Sequence, residues 1–335
     1  MRGLIVLVIA LGTLWGGYWV VGSIALQTSA DGWFDAQSAA SGVASRASIT
    51  VQGFPNRFDV IVDKPHLSDP KTGYGWDAEF AQVFSMTWKP WHLIFALPNE
   101  QHFTTPDDVV TVASKSMDGS VVFVPGTKLQ VNRVVVEGAD LAVTSRLGWV
   151  IKAAKAQMAT RPFGADGKGY EINLSVAGLT PDPGLMATLQ GKSDLPPSVE
   201  VVSFDVTAAL SSPVYLNDAG PDPQVLGMEI RDGQIRWGDL MVTTSGAVTA
   251  GADGLAEGRI DIHVENWRKM LPVAVAMGLI TAEVAPTVEK MMGLMAQQKG
   301  DGTALDLPLV MKAGRMSLGP IPLGAAPRMT RAAQG

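Results

Sequence analysis

The stretch YEINLSVAG, residues 170–178, decides the fold. Tyr170, Ile172, Leu174 and Val176 alternate with Glu171, Asn173 and Ser175. Successive side chains of a strand point to opposite faces, so this pattern is an antiparallel strand with one dry and one wet face. The segment VEVVSFDVTAAL follows at 199–210. It places Val202, Phe204, Val206 and Ala208 on one face, with Ser203, Asp205 and Thr207 opposite. In GRIDIHVEN (258–266), Ile260, Ile262 and Val264 alternate with Arg259, Asp261 and His263. RFDVIVD (57–63), SVVFVPG (120–126) and VNRVVVEGADLAVTS (131–145) also read as strands.

Turn signals punctuate these runs at Pro55-Asn56, Asp118-Gly119, Pro125-Gly126, Glu137-Gly138, Asp166-Gly167, Asp232-Gly233 and Asp253-Gly254. Glycine accepts positive φ, so Asp-Gly between apolar runs favours tight hairpins. Short strands with closely spaced turns predict a mainly β body, a large curved antiparallel sheet that forms a groove or a sandwich. The segment 148–160, GWVIKAAKAQMAT, is ambiguous: its Ala and Lys content leans helical, and its neighbours favour a strand. Residues 267–298 are rich in Ala, Met and Leu and predict two helices broken near Pro286, with Pro272 in a first turn. Met270–Ala282 is uncharged but too short to span a bilayer, so this helix pair is expected to pack on the sheet. Strand character returns at 306–324. The stretch 178–198 is the best linker candidate, and TPDPG (180–184) and GPDPQ (220–224) hint at a duplicated unit.

Upstream of the β body, GLIVLVIALGTLWGGYWVVG (3–22) carries no charge. At about 1.5 Å per residue it is long enough for a hydrocarbon core of about 30 Å. Trp15, Tyr18 and Trp19 gather towards its end as an interfacial aromatic belt, and Arg2 favours a cytoplasmic N-terminus. The run is longer than the apolar core of a cleavable signal, and bulky aromatics crowd the cleavage region, leaving Ser23-Ile24-Ala25 as a weak site. The division expected is therefore an anchor at 1–23, a juxtamembrane helix and linker at 24–46, an exported β-rich domain at 47–324 and a flexible tail at 325–335. The expected location is a bacterial inner membrane, single-pass, with the bulk of the chain periplasmic.

Composition narrows the function. The net charge of −6 and the lack of any basic block argue against nucleic-acid binding. With no cysteine, disulfides and thiolate chemistry are impossible. The four histidines, His66, His92, His102 and His263, show no i, i+4 pairing, and no phosphate-cradle or nucleophile-elbow motif occurs. No catalytic residue, cofactor or metal is assigned. Trp76, Trp88 and Trp91 fall close together and could serve as a platform, a membrane-proximal patch or core filler. In VQGFPNRFDV (51–60), Arg57 and Asp59 share one face of a strand and Phe58 and Val60 the other.

The order of parts resembles an alphaproteobacterial envelope family, domain of unknown function 2125. GGYWVVGS (16–23) precedes a helix containing GWF (32–34). VQGFPNRFD (51–59) and EFAQVFSMTWKPWHLIFALPNEQ (79–101) follow. Gly53, Phe54, Pro55, Arg57, Phe58 and Asp59 carry the most specific part of that resemblance. Residues 241–267 also look like the repeat of AsmA-like proteins, which implies lipid shielding in an apolar β groove; this chain is far shorter than the bridging members. The leading expectation is a non-enzymatic membrane-anchored envelope protein that handles lipid. Its apolar surface is expected from Phe58, Val60, Tyr170, Ile172, Leu174, Phe204, Val206, Ile260 and Ile262. The expected partners are the inner membrane, lipid and envelope proteins. The alternatives are a scaffold for an inner-membrane assembly and a periplasmic hydrolase.

Overall fold

The computed structural model describes residues 1–41, 43–164, 166–216, 220–297 and 302–330. About half of the chain is strand, and the pairings are antiparallel. The chain divides into two compact units, one of residues 1–126 and 134–148, the other of 127–133 and 149–335. The stretch 178–198 is not a boundary; it lies inside the second unit and holds a short helix.

The first unit begins with one uninterrupted helix, α1 (Arg2–Ser41). The segments expected as anchor and juxtamembrane helix run on as one helix through Gly22 and Gly32. Its distal half is amphipathic in effect. Phe34 is buried with Ala44, Ile49 and Val62, and Ala30 packs beside them. Arg46 donates to Asp31 and Asp35 on the same helix and lies over the Phe34 ring at 5.2 Å. Gly42, inside the expected linker, lies outside the described residues.

Two ladders make up the sheet of this unit. One runs through Ser48–Gln52, Arg57–Asp63, Phe80–Met86, Lys89–Leu97 and Ser116–Phe123. The other runs through Ala44–Ser45, His66–Asp69, Tyr74–Ala78, Glu100–Thr104, Val109–Ala113 and Ala142–Ser145. The chain passes from one to the other at 46–47, 64–65, 79, 98–99 and 114–115. These breaks are bonded to one another: Lys64 N–H donates to the Glu79 carbonyl, and Ser114 N–H to that of Asn99. The sheet is therefore creased along a line, and the Asn99 amide donates to the carbonyls of Ser114 and Lys115 across it.

The second unit is a meander in chain order: Val150–Phe163, Gly169–Leu179, Val199–Leu210, Val225–Trp237, Leu240–Ala250, Ala256–Glu265, Ala304–Lys312, Arg315–Leu318 and Ile321–Ala325. The ambiguous 148–160 segment is thus a strand. Among the described residues, three α-helices interrupt the meander. They are α2 (Pro183–Leu189), α3 (Met270–Ala276) and α4 (Ala285–Gln297). The expected helix pair forms, but the break is at 277–284, so Pro286 lies in the first turn of α4. Residue 298, the last of the expected pair, lies outside the described residues, as do 331–335 of the expected tail. Asp182, from the first of the two similar strings, caps α2 by accepting from Gly184 and Leu185 N–H, and its other oxygen accepts from Val150 N–H. GPDPQ has no helix after it, so the two strings do not mark a duplication of structure.

Three expected turn pairs lie inside strands: Asp118-Gly119, Glu137-Gly138 and Asp232-Gly233. Glycine serves close approach there. A Cβ on Gly119 would stand 2.3 Å from the Val135 carbonyl oxygen and 2.6 Å from the Phe95 ring. Just before Asp232-Gly233, Arg231 is the extra residue of a bulge, since Asp205 pairs with Asp232 and Val206 with Ile230.

Candidate functional site

Register builds one apolar face across seven strands of the second unit. One row runs Met158, Leu174, Phe204, Gly233, Thr244, Ile262, Leu307. The next runs Thr160, Ile172, Val206, Ile230, Gly246, Ile260, Leu309. A third runs Ala156, Val176, Val202, Ile235, Val242, Val264, Leu305. Gly233 gives room to its neighbour: a Cβ there would meet the Phe204 ring at 2.9 Å.

The cover over this face is uneven. At one end of the strands, α3 and α4 seal Leu240, Val264, Leu305 and Leu307 around Trp267, which has no exposed surface. Trp237, Val199 and Leu189 close the neighbouring corner beneath α2. At the other end Ala326 and Met329 lie over Val248, Ile260 and Met311. Between these covers the rows open towards the Val150–Phe163 strand. Leu174 is 39% exposed and Met158 37% exposed, while Ile172, Phe204, Val206 and Ile230 are half-buried.

The opposite face is wet and laced with charge. Glu171 accepts from Arg161 and from Arg231 at 3.0 Å, and Arg231 reaches Asp205 at 2.6 Å. Arg259 pairs with Asp261, and His263 Nδ1 lies 2.6 Å from Asp306. Bonding to Arg161, supported by Arg231, holds the Glu171 carboxyl below its ordinary range despite some desolvation. A polar hollow of about 750 Å³ lies over Arg231, Arg259, His263 and Asp306. Among the described residues no group of three or more His, Asp or Glu is gathered as a metal could require. His66 and His263 each face an Asp directly across a strand pair, Asp77 and Asp306, which makes them cross-strand pairs of ordinary kind.

The nine residues expected to line one surface fall into three groups. Ile172, Leu174, Phe204, Val206, Ile260 and Ile262 share the apolar face of the second unit, with Ile260 under the C-terminal segment. Tyr170 lies on that face but is 5% exposed. Its hydroxyl donates to the Val131 carbonyl at 3.0 Å and accepts from Val214 N–H, so it ties the 127–133 segment to the strand. Burial raises its pKa. Phe58 and Val60 belong to the first unit and pack towards α1. Met158, Ile230, Ile235 and Val242 on the open and adjoining rows escaped the sequence reading, since only strand register shows that they continue it.

Three residues of the 53–59 motif, Phe54, Arg57 and Phe58, meet α1. Phe54 stands edge-on to Trp19 at 5.3 Å, and Phe58 stacks with Trp19 at 6.2 Å. Gly22 leaves the space that the Phe58 ring enters. Gly53 has φ +100°, and a Cβ there would press on the Arg57 carbonyl at 2.8 Å, so a side chain is excluded. Pro55 follows a cis bond. Arg57 donates to Asp59 at 2.6 Å; Asp59 is buried, and its Oδ1 has no protein partner. A family model described as an uncharacterized protein conserved in bacteria (DUF2125) matches residues 19–327. The chain is a DUF2125 protein. Comparison with curated proteins finds no match. The match in this DUF2125 chain takes in the motif, the helix face that receives it from Trp19 onward, and the apolar rows of the second unit. Trp76, Trp88 and Trp91 do not form a shared platform: Trp76 pairs across the strand with Phe103 and donates to the buried Gln101, whereas Trp88 is exposed in a turn.

Proposed function

We propose that this DUF2125 protein is a non-enzymatic, membrane-anchored lipid-handling protein of the bacterial envelope, which shelters acyl chain on the open rows of its second unit. The observation that carries the reading is the contrast within one apolar face. Its ends are sealed, while Met158 and Leu174 remain exposed beside half-buried Ile172, Phe204 and Val206. Exposed apolar area on a sheet is unfavourable in water by about 25 cal/mol per Å². A contiguous strip of it calls for an occupant. An acyl chain is the occupant that needs no polar partner, and the rows offer few polar groups. The likeness of 241–267 to AsmA-like repeats agrees with this use. The apolar helix α1, whose first residues are exposed, supports anchoring. Arg2 before the span supports a cytoplasmic N-terminus, with both β units in the periplasm.

Native mass spectrometry of the full chain, extracted from membranes in mild detergent, tests the reading. Adducts of phospholipid mass are expected on the wild type and should fall several-fold in Leu174→Asp and Phe204→Asp. A wild-type chain that carries no lipid while its circular dichroism shows the β fold intact would overturn it. A phosphatase fused after residue 330 should be active outside the cytosol; an inactive fusion reverses the orientation.

A further inference from the structure

The length of α1 does not fit a simple tether. Contacts with the β-sheet of the first unit start at Trp15 and recur through Trp19, Gly22, Gln27, Ala30 and Phe34, one face of a continuous helix. Only Arg2–Leu14 precede the first contact. At about 1.5 Å per residue they cover about 20 Å, two thirds of a hydrocarbon core of about 30 Å. A span that begins after Arg2 must therefore use helix residues that already carry the sheet. We propose, resting on the anchored reading above, that the turns at 53–56 and 86–89 form a wedge seated in the leaflet through which the helix leaves the bilayer.

The make-up of the wedge fits that solvent. Phe54 is 62% exposed, Trp88 56% and Met86 40%. They belong to the two turns that Trp15 and Tyr18 bond, and these helix residues are themselves exposed. Backbone carbonyls at that depth need donors from the protein, because water is scarce. The helix supplies them. Trp19 Nε1 donates to the Arg57 carbonyl at 2.6 Å, the Tyr18 hydroxyl to the Thr87 carbonyl at 2.9 Å and Trp15 Nε1 to the Asn56 side chain at 3.3 Å. The Asn56 carbonyl accepts from Thr87 N–H, and Arg57 N–H donates to Gly53. Three aromatic donors on one helix thus bond two turns that expose Phe54, Met86 and Trp88. Exposed Lys89 and half-exposed Arg57 border the wedge, placed to reach phosphate at headgroup level. The wedge fixes the first unit to the bilayer surface instead of leaving it on a free stalk.

Because the chain has no cysteine, single probes are clean. Leu7→Cys, Phe54→Cys, Trp88→Cys and Tyr74→Cys are made in the full chain, labelled with a nitrobenzoxadiazole fluorophore and placed in phosphatidylcholine nanodiscs with or without a doxyl-labelled lipid. Tyr74 is exposed beside Asp69, at the far end of the strand path from Arg57, and serves as the water-facing control. The expected result is strong quenching at Leu7, and at Phe54 and Trp88 at least twofold more quenching than at Tyr74. Quenching at Leu7 with Phe54 and Trp88 no different from Tyr74 overturns the wedge and leaves the anchor standing; protection of both probes by a partner protein would give this pattern. No quenching at Leu7 removes the span, and the wedge with it. Trp88→Cys keeps the test valid if loss of the Phe54 ring disturbs the turn.

Discussion

The covered and open halves of the apolar face have the same side-chain chemistry and the same ladder, yet opposite fates. Val264 and Leu305 are 1% exposed beneath the helices, whereas Leu174, two rows of strand from a similar cover, is 39% exposed. The strands alone do not close this surface. Closure comes from insertions: α2 between the strands ending at Leu179 and starting at Val199, and α3 with α4 between Glu265 and Ala304. All of these enter at one end of the meander, as does the Trp237–Leu240 turn, so they can seal only that end. The fold thus buries the face beneath the helices and leaves Met158 and Leu174 exposed towards the Val150–Phe163 strand.

Substitutions can break that contrast. The largest effect is expected at Trp267, whose ring is fully buried and whose Nε1 donates to the Gly302 carbonyl. Trp267→Ala should cost about 3–5 kcal/mol in denaturant unfolding and expose the helical end. Leu305→Ala follows at about 2–4 kcal/mol. Asp182→Ala removes a helix cap and the acceptor for Val150 N–H, and should cost about 1–2 kcal/mol. Leu174→Ala, made on the same ladder, should cost under about 1 kcal/mol while reducing lipid retention. Equal costs at Leu174 and Leu305 would show that the open half is also closed in solution.

How much of this was legible before the structure follows the physics of each signal. Period-two alternation in 170–178, 199–210 and 258–266 is local, and those strands lie where the pattern places them. The ambiguous 148–160 segment carries Ala and Lys, Lys152 and Lys155 being exposed on the strand that forms at 150–163, so its composition leaned helical where pairing made a strand. Asp-Gly pairs at 118–119 and 232–233 looked like turns because φ freedom and ring clearance both demand glycine, and sequence cannot separate the two demands. The assembly of the candidate surface was half legible: six residues share it, but Phe58 and Val60 have the same alternation and belong to the other unit. Periodicity shows that a residue faces something dry, and only long-range pairing shows what. The helix that receives Phe54 and Phe58 was visible as an apolar run; its continuity past Gly22 was not, since a glycine that seats a ring looks the same as one that ends a helix.

The smallest expected effect concerns the wet face, and it checks that this face belongs to water throughout. Glu171 is held below its ordinary range chiefly by Arg161, with Arg231 adding to it and partial desolvation opposing. A depressed carboxyl contributes stability above its unfolded value, about 4.3, and loses it as pH falls through the folded value. Glu171→Gln cannot titrate. The difference in unfolding midpoint between wild type and Glu171→Gln should therefore be constant near neutrality, narrow once pH drops below about 4.3, and vanish at lower pH. Added salt should shrink it at every pH, because Arg161 and Arg231 are solvent-accessible, at 72% and 39%. A difference that persists at acid pH and resists salt would mean that this face, too, is covered, and the division of the sheet into one dry and one wet side would fail.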